Sequence, residues 1–171
     1  GKGVPMVRQR QVMTFLLVGI ICAISSCAFN SPNYEKLAEY LHSPEGFAQW
    51  QQMEGQLAKV AESAATEYNR THTMEALRSY ETAIREYLDH GFLLYHAFSD
   101  SPYDLPKGLR RSLERRTAEL MDVADGYLKE HSIPIAVGIA REVILKYNAG
   151  VMDHPQHRAE GIMLEYRYRR N

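Results

Sequence analysis

"SPEGFAQWQQMEGQLAKVAESAATEYN", residues 43–69, decides the fold class. Ser43-Pro44-Glu45 is a helix start: serine as cap, proline in the first turn, an acid at the positive end of the helix dipole. Behind it, Phe47, Trp50, Met53, Leu57, Val60, Ala64 and Tyr68 recur at spacings of three and four. That spacing puts every one of them on one stripe of a helix and scatters them over both faces of a strand. The stretch therefore predicts a long amphipathic helix ending near Asn69, its stripe turned to a partner helix.

The same period runs through the rest of the chain. Upstream, Ser31-Pro32 opens a short helix with Tyr34, Leu37, Tyr40 and Leu41 inward. Downstream, Thr71 or Thr73 caps a helix to about Asp89 with Met74, Leu77, Tyr80, Ile84 and Leu88 inward. Gly91 reads as an interruption, and Phe92-Leu93-Leu94-Tyr95 as a buried extra turn after it. Residues 99–106, SDSPYDLP, predict an exposed, rigid loop. A helix over Pro106–Lys129 then buries Leu109, Leu113, Leu120, Val123, Ala124, Tyr127 and Leu128. Its outer face carries Arg110, Arg111, Glu114, Arg115 and Arg116.

Ser132 caps the next helix, Pro134 to Tyr147, which is apolar on most sides through Ile135, Val137, Ile139, Ala140, Val143 and Ile144. Such a helix belongs in the middle of a bundle. Asn148-Ala149-Gly150 stops it, and Asp153 caps a last helix to about Arg169 with Ala159, Ile162, Met163 and Tyr166 inward. The expectation is an all-α protein: five or six antiparallel helices with short connections, as a bundle or as a short array of helical hairpins. Ala76, Tyr80 and Ala83 have the spacing of the second helix of a tetratricopeptide repeat, and the segment resembles that family. An echo at Ala136, Ala140 and Val143 comes 60 residues later, off the family's period of about 34. A plain bundle accounts for the same alanines.

Residues 1–27 carry a different signal. Lys2, Arg8 and Arg10 stand without an acid, an apolar run follows from Met13 to Ile24, and Ile24-Ser25-Ser26-Cys27 closes it. A basic head, a short apolar middle and a small-residue end are the parts of a secretory signal. A membrane span needs about 20 apolar residues, and this run reaches that only by counting through both serines. An uncleaved anchor helix is the competing reading. The segment resembles a bacterial lipoprotein signal, with Ile24 to Cys27 as its lipobox. That resemblance implies a cleaved signal at 1–26 and a helical periplasmic domain at 27–171. It also implies a diacylglyceryl group on Cys27 and the loss of Cys22. Residue 28 is Ala, where an Asp retains enterobacterial lipoproteins at the inner membrane. The implied address is the outer membrane, facing the periplasm.

Composition narrows the function. The 171 residues hold 20 basic and 21 acidic side chains, so no basic excess argues for nucleic acid. Cys22 and Cys27 are the only cysteines, which excludes a disulfide framework or a cysteine-held zinc in the body. No phosphate loop, dinucleotide glycine pattern, nucleophile elbow or zinc-protease pair is present. Asp153, His154 and His157 form the densest imidazole group and read as a helix cap with wet histidines. No metal or cofactor is expected. Trp50, Tyr80, Tyr87 and Tyr95 are candidate partner-lining aromatics. Arg167, Arg169 and Arg170, interleaved with tyrosines, suit an acidic protein or lipid headgroups, or simply offset the helix dipole.

The function expected from this pattern is non-enzymatic. The lipid bilayer holds the chain through Cys27, and the body binds or scaffolds an envelope protein of a secretion, conjugation or outer-membrane assembly machine. A cell-wall hydrolase with a lone carboxylate predicts a deep cleft instead. An exclusion or immunity lipoprotein predicts, like the scaffold, an exposed apolar patch.

Overall fold

The structure, a computed structural model, describes residues 34–99, 101–147 and 154–169. The expected signal at 1–26, Cys27, the helix start at Ser31-Pro32, the stop at Asn148-Ala149-Gly150, Asp153 and Arg170 lie outside these residues. Six helices pack together and no strand occurs among the described residues. They are α1 (Tyr34–His42), α2 (Pro44–Thr71), α3 (Met74–Ser99), α4 (Leu109–Lys129), α5 (Ile133–Glu142) and α6 (His154–Arg169).

Ser43 does what its sequence context predicts. Its hydroxyl accepts the Gly46 N–H at 3.1 Å and itself donates to the Tyr40 carbonyl, so one side chain closes α1 and opens α2. α2 runs two residues past Asn69 and ends when His72 takes the left-handed conformation, its N–H returning to the Tyr68 carbonyl at 2.8 Å.

Three helices depart from the sequence reading. Gly91 does not interrupt α3, which is continuous over 26 residues. A Cβ on Gly91 would stand 2.6 Å from Leu113 Cδ2, so the glycine lets α4 approach closely. α4 starts at Leu109, not Pro106, behind Gly108 at φ 85°. On it, Arg116 belongs to the interior, only 4% exposed, although the sequence places it on the outer face. α5 is peripheral where a central helix is expected: Ile135 is 42% and Leu145 73% exposed. The Ser132 side chain makes no cap bond; its carbonyl takes the first N–H groups, from Ile135 and Ala136. The last turn, Val143–Tyr147, widens into a π turn, which seats Tyr147 fully inside against the Phe92 ring, 5.0 Å between centroids.

The core is one cluster reaching from Leu37 to Ala159. α1, α2 and α3 pack on one another, α4, α5 and α6 do likewise, and α3 on α4 joins the two sets. Leu77, Ile84, Leu88, Leu113, Leu120 and Ile139 sit at the middle with essentially no exposure. Each such side chain contributes about 1.5–3 kcal/mol by leaving water. The predicted stripes of α3 and α4 enter this cluster through Leu77, Tyr80, Ile84 and Leu88 and through Leu109, Leu113, Leu120, Val123, Ala124 and Tyr127, whereas the α2 stripe only leans on it, with Trp50, Val60, Ala64 and Tyr68 partly buried and Ala61, outside the predicted stripe, fully inside. The 99–106 segment is less exposed than expected, because Tyr103 stacks on His42 at 4.1 Å.

Candidate functional site

Two arrangements stand out: a polar seam inside the α2–α3–α4 layer and an open groove at the end of α4, α5 and α6.

The seam gathers two of the predicted aromatics. Trp50 on α2 stacks on His90 of α3, centroids 5.6 Å apart and planes 9° apart. One turn on, Tyr87 donates its hydroxyl to Glu54 at 2.7 Å. Arg116 of α4 lies 4.8 Å over the Tyr87 ring and donates to Glu119 at 2.8 Å. Burial pushes the Tyr87 hydroxyl up, and the Glu54 carboxylate adds to this. Burial also drives the His90 imidazole down to about 4, although a hydrogen bond to the Trp50 backbone and the Glu54 charge oppose it. Trp50 Nε1, His90 Nε2 and Arg116 Nε are buried without a hydrogen-bond partner among the described residues. These polar contacts tie α2, α3 and α4 together and fix their register.

Tyr80 and Tyr95 are core residues as well. Tyr80 packs near Tyr68, 6.4 Å between centroids, and Tyr95 lies against Phe92 with Arg110 at 6.0 Å over its ring. Trp50 alone of the four predicted aromatics is only partly buried. Arg167 and Arg169 are exposed on the last turns of α6, Arg169 paired with Glu165. His154 and His157 are exposed, and no group of three or more metal-ligating side chains occurs among the described residues.

The groove escapes sequence reasoning because three helices build it. Leu128 ends α4, Ile133 and Val137 line α5, and Ile162 and Tyr166 line α6, around a hollow of about 290 Å³. Lys129, His131, Glu165 and Arg169 stand at its rim. A left-handed residue at His131, φ 57°, makes the sharp turn that sets α5 back along α4. An ion-pair cluster holds α6 in place: Arg158 donates to Asp122 at 2.9 Å and Asp125 at 2.6 Å. Outside the groove, α6 also exposes Leu164 (52%) and Tyr168 (79%).

The groove lies at one end of the molecule and the start of α1 at the other. α3 and α4 are antiparallel: Gly91 faces Leu113 near the beginning of α4, and Gly126 near its close faces Leu77. Tyr34 sits 6.4 Å from the ring of His96, in the last turn of α3. The 21 residues of α4 span about 30 Å between these two ends.

Comparison with protein-family models, with curated proteins and with solved structures returns no match. No helix among the described residues is long and apolar enough to cross a membrane.

Proposed function

We propose that this protein is a non-enzymatic lipoprotein adaptor. Cys27 carries the lipid, the helical body faces the periplasm from the outer membrane, and the body recruits a component of an envelope machine. The observation that carries the tether is Ile24-Ser25-Ser26-Cys27 behind a basic head and an apolar run. Two or more acyl chains at one cysteine give a lasting anchor, since each buried CH₂ contributes about 0.8 kcal/mol. Six residues separate Cys27 from Tyr34, and the seven steps between them reach roughly 25 Å at full extension. The body is thus confined near the bilayer, and its effective concentration toward a partner on that membrane rises to the millimolar range of a short linker.

The geometry supports recruitment better than catalysis. The groups with the most perturbed protonation, His90 and the tyrosines Tyr80, Tyr127 and Tyr147, are packed between helices, and burial is the leading cause for each. The open hollow holds apolar side chains and a few rim charges, the composition of a contact surface.

The test is intact mass and membrane fractionation of the expressed protein beside Cys27→Ala. The expected wild-type product begins at residue 27, carries added acyl mass and stays with the outer membrane, while the variant loses all three properties. Retention of residues 1–26 by a membrane-bound Cys27→Ala protein would replace the lipid with an anchor helix.

A further inference from the structure

We infer that α1 and α2 form one hairpin strap that acid releases from α3, with His90 as the trigger. This goes beyond the adaptor reading and does not rest on it.

The strap is thinly attached. Over the 28 residues of α2 only Gly46, Leu57 and Ala61 are buried, whereas 13 of the 26 residues of α3 are. α1 adds Leu37, Ala38 and Leu41. The Ser43 hydroxyl bonds to both helices and couples them. At the other end, His72 and Thr73 join α2 to α3. The His72 N–H stays with the Tyr68 carbonyl of α2. Thr73 caps α3, its side chain accepting the Ala76 N–H at 3.2 Å and its carbonyl the Leu77 N–H at 3.0 Å. Across the joint itself the Thr71 and Thr73 hydroxyls stand 3.3 Å apart. Rotation about His72 and Thr73 therefore leaves the bonds of both helix ends intact, as a hinge requires. An element held by few buried apolar contacts opens at less cost than the whole molecule unfolds.

His90 lies under this strap. Its ring is nearly parallel to that of Trp50, and its Nε2 is buried without a hydrogen-bond partner among the described residues. A protonated imidazole donates from both nitrogens, so the cation leaves a buried N–H without an acceptor. The surrounding charges do not relieve it. From α2, the Glu54 charge favours the cation, but its carboxylate already accepts the Tyr87 hydroxyl at 2.7 Å. From α4, Arg116 lies over Tyr87 and brings a second positive charge to the seam. On α3, Asp89 accepts from Lys146 and Tyr147. The charged residues of α1, Glu35, Lys36 and Glu39, are exposed. Lifting the strap returns the ring to water.

The test is native-state hydrogen exchange of the full-length chain in phosphatidylcholine nanodiscs at pH 7 and pH 5, each corrected for the intrinsic exchange rate. At pH 7 the amides of residues 47–71 should share one protection level, below that of residues 113–127 in α4. In the open form His90 titrates at its ordinary 6.5, against about 4 when closed. Opening should therefore become roughly twentyfold more frequent at pH 5, and α2 protection should fall by that factor. In His90→Phe and in His90→Gln, which do not titrate here, the fall should be less than about threefold. Amides of α2 as well protected as those of α4 mean that no separate strap exists. A wild-type fall below threefold, or an equal fall in both variants, removes His90 as the trigger. A loss confined to residues 154–169 gives the release to α6. Each of these three results overturns the inference.

Discussion

Lowering the pH should destabilise this protein through His90. The imidazole sits between α2 and α3, stacked on Trp50, with the Glu54 charge acting on it, in the seam that also holds Tyr87 and Arg116. Burial holds its native pKa near 4 against an ordinary 6.5. Above pH 6.5 neither the folded nor the unfolded chain protonates this ring, and its full contribution is present. Between 6.5 and 4 the unfolded chain takes up a proton that the folded chain refuses, so stability falls with falling pH. Below 4 both forms are protonated and the loss is complete. One unit is worth about 1.36 kcal/mol, so the loss is about 2 kcal/mol at pH 5 and about 3 kcal/mol by pH 4. The other histidines, at 42, 72, 96, 131, 154 and 157, are all exposed. The assay is urea unfolding at pH 7, 6 and 5, followed by circular dichroism and by the emission of Trp50, the single tryptophan. His90→Phe keeps an aromatic ring on Trp50 and removes the titration, so its stability should change far less across this range. A wild-type stability that is flat from pH 7 to 5, or a His90→Phe slope equal to the wild type's, would refute the reasoning.

Two glycines make a paired prediction. Gly91→Ala places a methyl 2.6 Å from Leu113 Cδ2 in a filled core and should lower stability by about 1 kcal/mol, overpacking outweighing the helix-propensity gain. Gly138→Ala meets open space on the outside of α5 and should raise stability by about 0.8 kcal/mol, both read from urea midpoints. Ser43→Ala should cost about 1 kcal/mol and fray the junction of α1 and α2, because it removes both the bond accepted from Gly46 and the one donated to Tyr40. Hydrogen exchange of the Gly46 amide checks it.

The sequence by itself determined the all-α class and the inward positions of α3 and α4, because a period of three and four is a local property that needs no knowledge of the partner; it placed the start of α4 at Pro106, not Leu109, and of the α2 stripe only Leu57 is fully buried. Ser43-Pro44-Glu45 opened α2 as written, and Leu77, Ile84, Leu113 and Leu120 went inside as written. Local pattern misled wherever one residue type serves two environments. Gly91 looked like a break, yet close approach of α4 requires the same missing side chain. Arg116 looked like a wet charge, yet Glu119 and the Tyr87 ring, on two different helices, supply the partners that let it be buried. The aromatics picked as contact residues turned out, for Tyr80, Tyr87 and Tyr95, to be core, since a tyrosine stripe reads alike in both settings. The apolar sides of α5 promised a central helix, but only tertiary packing decides which of several apolar faces is covered, and Ile135 and Leu145 remained outside. The groove lay furthest from the sequence. Its walls come from positions 128–137 and 162–169, and their meeting depends on the left-handed turn at His131 and the Arg158 ion pairs, contacts that exist only once the chain has folded.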